Sequence, residues 1–289
     1  MTTAISRTSS TIHRRKRPSG AQIIVHLVLI VAVVVALYPV LLVLMDSFKS
    51  KAAIYSSPFA VPTAGTFSLD GYISVFTEGD FGRYYLNSII VTVVSVVLVV
   101  VLSSLAAFGL SEYRVRLNPV TMAIFVVGIM LPIRLGTVAL LKMMSAWGLV
   151  NTLTSLIIIY VASSLPLAVV LMSTYMRTVP DELKEAARID GANEWRVFTL
   201  IAPLTRPGMA AVASVTMLPI WNDLWFPLIL APGESTQTVT LGVQQFVGQF
   251  SSDWSALLAA LTMGAVPLIA LFAIFSRQFI AGLSQGIGK

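Results

Sequence analysis

The chain has 289 residues, 56% of them hydrophobic and only 11% charged, with a mean hydropathy of +0.86. Soluble domains carry about a quarter charged residues, so most of this polypeptide has lipid as its solvent. Cysteine is absent, which excludes a disulfide framework, a thiol nucleophile and a thiolate metal site, and the net charge of +6 is distributed as in a membrane protein rather than a nucleic-acid binder.

A polar tail, residues 1–20, carries Arg7, Arg14, Arg15, Lys16 and Arg17 ahead of the first apolar run, 21–45. That run is long enough to cross a bilayer and exceeds the apolar core of a signal peptide. No A-x-A site follows it, so an uncleaved anchor helix is expected. Apolar runs at about 84–111, 118–141, 152–176, 207–230 and 256–276 bring the expected spans to six. All are expected to be helices, because hydrocarbon offers the backbone no hydrogen-bond partners. The expected fold class is therefore all-α: a polytopic membrane protein with six transmembrane helices in one domain, 21–289. With the basic tail in the cytoplasm, 14 of the 19 Lys and Arg fall on that side, among them Arg114, Arg116, Arg277 and Lys289. Both termini are then cytoplasmic. The outer segments are 46–83, a turn at 147–151, and 231–253; the first, containing SSPFAVPTAGTF, reads as an ordered but irregular loop.

Two ionisable residues lie inside apolar runs, Arg134 in the third and Asp223 in the fifth. Such residues face a bundle interior or a watery cavity. Each stands about 16 residues past the cytoplasmic start of its span, roughly 24 Å up a straight helix. Equal depth and opposite charge suit a pair; separate positions at the outer interface are the alternative. Trp221 and Asn222 precede Asp223, and such a trio suits a sugar, whose hydroxyls donate hydrogen bonds to the Asp carboxylate and exchange them with the Asn amide while its ring stacks on an aromatic face. Pro39, Pro132, Pro166, Pro219, Pro227 and Pro267 interrupt five of the six spans, as a gating bundle tolerates. His13 and His26 have no partner pattern, so no metal site is expected.

Between the fourth and fifth spans the character changes. Residues 177–206, RTVPDELKEAARIDGANEWRVFTLIAPLTR, contain ten charged residues. At roughly 2.5–3.5 kcal/mol per charge at the bilayer centre, this segment belongs in water. Pro180, Asp181 and Glu182 suit the start of a helix. Leu183, Ala186, Ala187 and Asp190 share a face, flattened by its two alanines. Gly191 breaks the helix, and Trp195, Phe198 and Thr199 share a face of a second one.

This loop resembles the EAA loop of ATP-binding-cassette importer permeases: E-A-A, three residues, G, nine residues, I-x-L-P. Glu185, Ala186, Ala187, Gly191 and Ile201 fall in register, whereas the ending Ile201-Ala202-Pro203-Leu204 exchanges the final leucine and proline. Nearly the whole chain shares the resemblance, which narrows to carbohydrate-uptake permeases similar to the G-type maltose subunit. YPVLLVLMDSFKS, SSLAAFGLSEYRVR, GLVNT, WNDLWFPLIL and FSRQFIAGLSQGIGK also carry it.

The resemblance implies a type I importer fold in a bacterial cytoplasmic membrane, its EAA loop a coupling helix seated in a groove of a cytoplasmic ATPase. It further implies a heterodimer with a second permease, two ATPase subunits that bind ATP and Mg, and an external solute-binding protein. Glu185 would pair with a basic residue of the ATPase, Ala186 and Ala187 would let the helix seat, and Gly191 would set the turn, with Asp190, Trp195 and Phe198 completing the coupling surface. Arg134, Trp221, Asn222 and Asp223 would border the translocation path. The chain has no G-x-x-x-x-G-K-[ST] loop, so no cofactor, ATP included, and no catalytic role is expected of it. The expected cargo is a sugar or oligosaccharide; a polyol or glycerophosphate-type solute, or a self-sufficient secondary carrier, are the alternatives.

Overall fold

The computed structural model describes residues 20–77, 79–113, 116–249 and 253–287. The basic tail up to residue 19, Arg114 and Lys289 lie outside them. Among the described residues every regular element is helical, with one isolated bridge between Lys49 and Phe67.

Helix α1, Gly20–Asp46, buries none of its most apolar window and exposes aliphatic side chains all round, as befits a helix solvated by hydrocarbon. The segment that follows is more regular than an irregular loop. It forms α2, Lys51–Ser56, and α3, Asp70–Thr77. Lys49, 1% exposed, orders it by pairing with Asp46 at 2.6 Å and donating to the carbonyls of Ser57 and Pro58. A buried charge needs such partners. Gly71 of α3 lies against the Ser255 carbonyl, a closeness no side chain would permit.

Helix α4, Phe81–Glu112, is the axis of the bundle. Its inner face, with Val99 and Ala107, packs on Ala168 and Met172 of α7, Leu153–Met176. Small residues along such a seam let two backbones approach. Helices α10, Arg206–Asn222, and α13, Trp254–Ile287, complete the core.

The third expected span is not one helix. Helix α5, Asn118–Met130, ends at Leu131, a single 3₁₀ turn follows at Ile133–Gly136, and α6, Thr137–Ala146, continues; the two halves are bent by 82°. Pro132 is the cause: it lacks an N–H and pushes the preceding residue out of the helical region, and Leu131 has φ −74° and ψ 122°. The fifth expected span is likewise divided, into α10 and a short α11, Trp225–Leu230. The straight-helix depths expected of Arg134 and Asp223 therefore do not apply.

The charged segment forms α8, Asp181–Ile189, and α9, Glu194–Ile201. Gly191 between them has φ +79°, the left-handed region. Pro203, in its unexpected place, opens a 3₁₀ turn, Ala202–Thr205, that carries α9 into α10 without leaving a helical path. Beyond α11, helix α12, Val239–Gln249, occupies much of 231–253, the segment expected to lie outside. Four helical stretches among the described residues are long and apolar enough to cross a membrane, and a fifth crossing results if the bent α5–α6 pair is one span. The expected sixth, 256–276, falls within α13, whose apolar stretch is the shorter Trp254–Ala270.

Candidate functional site

Two polar constellations stand out in this apolar bundle. The first lies where the two broken spans meet. Asp223 is extended, and its carboxylate accepts hydrogen bonds from the N–H groups of Phe226 at 3.0 Å and Trp225 at 3.4 Å. It thus caps α11, which is why the helix restarts there. Tyr160 of α7 donates its hydroxyl to the same carboxylate at 2.9 Å. Arg134, on the turn after the Pro132 break, approaches Asp223 Oδ1 at 3.7 Å and holds its guanidinium 5.8 Å from the Trp225 ring centre. That distance allows a cation–π contact. The Trp225 indole N–H in turn donates to Thr137 at 3.0 Å.

Arg134 and Asp223, far apart in sequence, are therefore together, and the cation is the open member, 68% exposed on its side chain against 10% for Asp223. Asn222 is exposed and donates to the Leu218 carbonyl. Trp221 is buried, with its N–H on the Gly264 carbonyl at 3.3 Å. The aromatic face open to the surroundings is that of Trp225. The elbow beside Arg134 borders an open apolar groove of about 940 Å³ against α7, lined by Pro132, Leu135, Met143 and Pro166 among others. Tyr160, Thr137 and Trp225 carried no sequence signal of their own, being ordinary residues of apolar runs.

The second constellation is at the α8–α9 end. Glu112, the last residue of α4, accepts from Lys184 at 2.6 Å and Arg188 at 2.9 Å, and its side chain is 6% exposed. Lys184 also pairs with Asp181 at 2.8 Å, and Arg188 with Glu194 of α9 at 2.9 Å. Burial works against the Lys184 ammonium, but its bonds to Asp181 and Glu112 outweigh that and raise its pKa. Hydrogen bonds to Glu194 and Glu112 raise Arg188 well above its ordinary value, and Arg188 holds the Glu194 carboxyl below the usual 4.5. Charge-assisted bonds of this kind are the strong ones.

The sequence-expected face of α8 divides. Ala187 is buried against the bundle with Val197 and Met176, whereas Leu183, Glu185, Ala186 and Asp190 point away from it. Lys184, three residues before Ala187, shares its inward face, where its charge meets Glu112. On α9, Trp195 is exposed with its ring tilted against that of Phe198, which packs edge-on against Phe108 of α4. Glu112 escaped the sequence reading because it closes a span rather than sitting in the loop. Among the described residues no group of acidic or histidine side chains could hold a metal ion. The letters G-x-S-x-G occur at 282–286, but inside α13, not at the strand-to-helix turn a nucleophile elbow requires.

Residues 99–285 match the family described as binding-protein-dependent transport system inner membrane component. The diacetylchitobiose uptake system permease protein NgcG of Streptomyces coelicolor is 35% identical over 264 residues, covering 90% of this chain and 87% of that one. The melibiose/raffinose/stachyose import permease protein MelC of Bacillus subtilis is 33% identical, covering 96% and 99%. In shape the chain is similar to a bacterial ABC transporter that imports the acidic polysaccharide alginate, with a TM-score of 0.77 over 94% of this chain and 100% of that one, at 22% identity.

Proposed function

The chain belongs to the family of binding-protein-dependent transport system inner membrane components, and on that footing we propose that it is the permease subunit through which an ATP-driven importer moves a sugar or oligosaccharide. The relatives named for diacetylchitobiose and for melibiose, raffinose and stachyose support the cargo class. The chain performs no chemistry. It pairs with a second permease, takes its cargo from an external solute-binding protein, and is driven by two ATPase subunits that hold ATP and Mg. Six crossings, with both termini in the cytoplasm, put α8–α9 on the ATPase side and the Arg134–Asp223 junction toward the outside.

The observation that carries this reading is the charged helix pair split at Gly191 and set on the end of an apolar bundle. A motor housed in another subunit needs such a handle: soluble, rigid and continuous with the spans it moves. The outward residues Leu183, Glu185, Ala186, Asp190 and Trp195 form the surface the ATPase grips, with Glu185 paired to a basic residue there. Ala187 and Phe198 brace that surface from behind, on the α4–α7 core. In the path, Trp225 supplies a stacking face, Arg134, Asn222 and Asp223 supply hydrogen bonds, and Trp221 backs the site.

Open space surrounds Gly191, so a substitution there strains the backbone without a clash. Gly191→Trp should leave insertion intact and uncouple ATP hydrolysis from uptake, read as the ratio of solute accumulated to phosphate released in vesicles. Full transport by that variant, or uphill pumping by the purified chain alone, would sink the reading.

A further inference from the structure

Of the five longest helices, α1, α7, α10 and α13 each contain an internal proline, and α4 does not. Proline removes a rung of the hydrogen-bond ladder and bends or weakens a helix. Helix α4, with 32 residues, is therefore an unbroken shaft roughly 48 Å long. Both of its ends are fastened by polar bonds in buried surroundings. At one end Glu112 holds Lys184 and Arg188, and through Arg188 reaches Glu194. At the other, Asn87 donates to the carbonyls of Ser235 at 3.0 Å and Gln237 at 2.9 Å, while Ser88 accepts from the Val239 N–H at 2.8 Å. The segment 231–239 after α11 is also tied to Asn151 ahead of α7, but α7 carries Pro166 in mid-course.

We propose that α4 is a transmission rod between the two ends of the bundle, with Glu112 the positioning residue that locks it to α8–α9 and Asn87 the one that locks it to segment 235–239. A push on either end then reaches the other without passing through a proline. The proposal rests on the importer reading, in which the α8–α9 end meets the ATPase and segment 235–239 faces the solute-binding protein.

The chain contains no cysteine, so two introduced thiols are its only labelling sites, and they can be spin-labelled selectively in an importer whose partner subunits carry no reactive cysteine. Gly109→Cys on α4 meets open space, and Arg196 on α9 is exposed and suits Arg196→Cys. With Glu112 intact, one inter-label distance should persist between nucleotide-free and ATP-bound states. Glu112→Gln should broaden or shift it. It should also cut the stimulation of ATP hydrolysis by loaded solute-binding protein about tenfold relative to the unstimulated rate, a mid-range coupling energy. Glu112→Asp, which keeps the charge, should recover most of that stimulation.

Asn87→Leu should reduce stimulation similarly while leaving the label distance unchanged, and the double variant should be no worse than either single one, since both cut the same rod. If Glu112→Gln does not assemble, the label distance in the parent chain and Asn87→Leu carry the test. A distance that changes with nucleotide in the parent chain, wild-type stimulation in both single variants, or losses that multiply in the double variant would overturn the rod. An unsubstituted chain that neither copurifies with an ATPase nor couples to one would instead defeat the importer reading.

Discussion

Glu112 is 6% exposed and takes Lys184 at 2.6 Å and Arg188 at 2.9 Å, whereas Asp223 is 10% exposed but meets an Arg134 that is 68% exposed and 3.7 Å away. Both sites join opposite charges near helix ends. At the α8–α9 end every member is held by another, and the cluster ties three helices into one body. At the helix breaks the anion is held closely, by Tyr160 and two backbone N–H groups, whereas the exposed cation has only the 3.7 Å approach to Asp223 and the Trp225 ring. One site is closed by mutual pairing, the other leaves its cation open to the surroundings.

Several substitutions would break or sharpen this contrast. Removing the Glu112 charge leaves the buried Lys184 with only the exposed Asp181 as its anionic partner, so Glu112→Gln should cost about 3 kcal/mol, read as lowered thermal stability of the detergent-solubilised chain. Asp223→Asn keeps the shape but weakens three bonds to a charged acceptor. It should cost about 2 kcal/mol and reduce transport more than it reduces the amount of assembled complex. Arg134→Gln removes an exposed and distant partner and should change stability by less than about 1 kcal/mol while still lowering uptake. A stability loss from Arg134→Gln as large as that from Glu112→Gln would erase the distinction.

The smallest effect is that of acid. The Glu194 carboxyl is held below its usual 4.5 by Arg188. Its contribution is therefore fully present above the unfolded value and lost as pH falls through the lower folded value. Protection of α8–α9 amides from hydrogen exchange should accordingly be flat above pH 4.5 and fall below it.

The importer-type loop was legible because its signals are local: charge density over 177–206, helix-starting residues at 180–182, and a glycine whose positive φ the structure bears out. The break at Pro132 was visible in principle, since proline acts on its immediate neighbour. Its size, 82°, was not, because a bend angle is set by what α5 and α6 pack against. Glu112 and Tyr160 could not be singled out. Nothing near them in the chain signals a partner, and their partners lie 72 and 63 residues away, at Lys184 and Asp223.

The sequence by itself determined that this chain is helical, lives in lipid and presents one charged helix pair to water. Solvent preference and backbone satisfaction are properties of a segment and can be summed along it. Only the tertiary structure decided which of the sparse polar groups meet: Arg134 with Asp223 across two broken helices, and Glu112 with Lys184 and Arg188 at the foot of an unbroken one. In a medium that rewards no apolar contact over another, those few meetings depend on how the helices cross, and crossing is a relation between segments that no single segment contains.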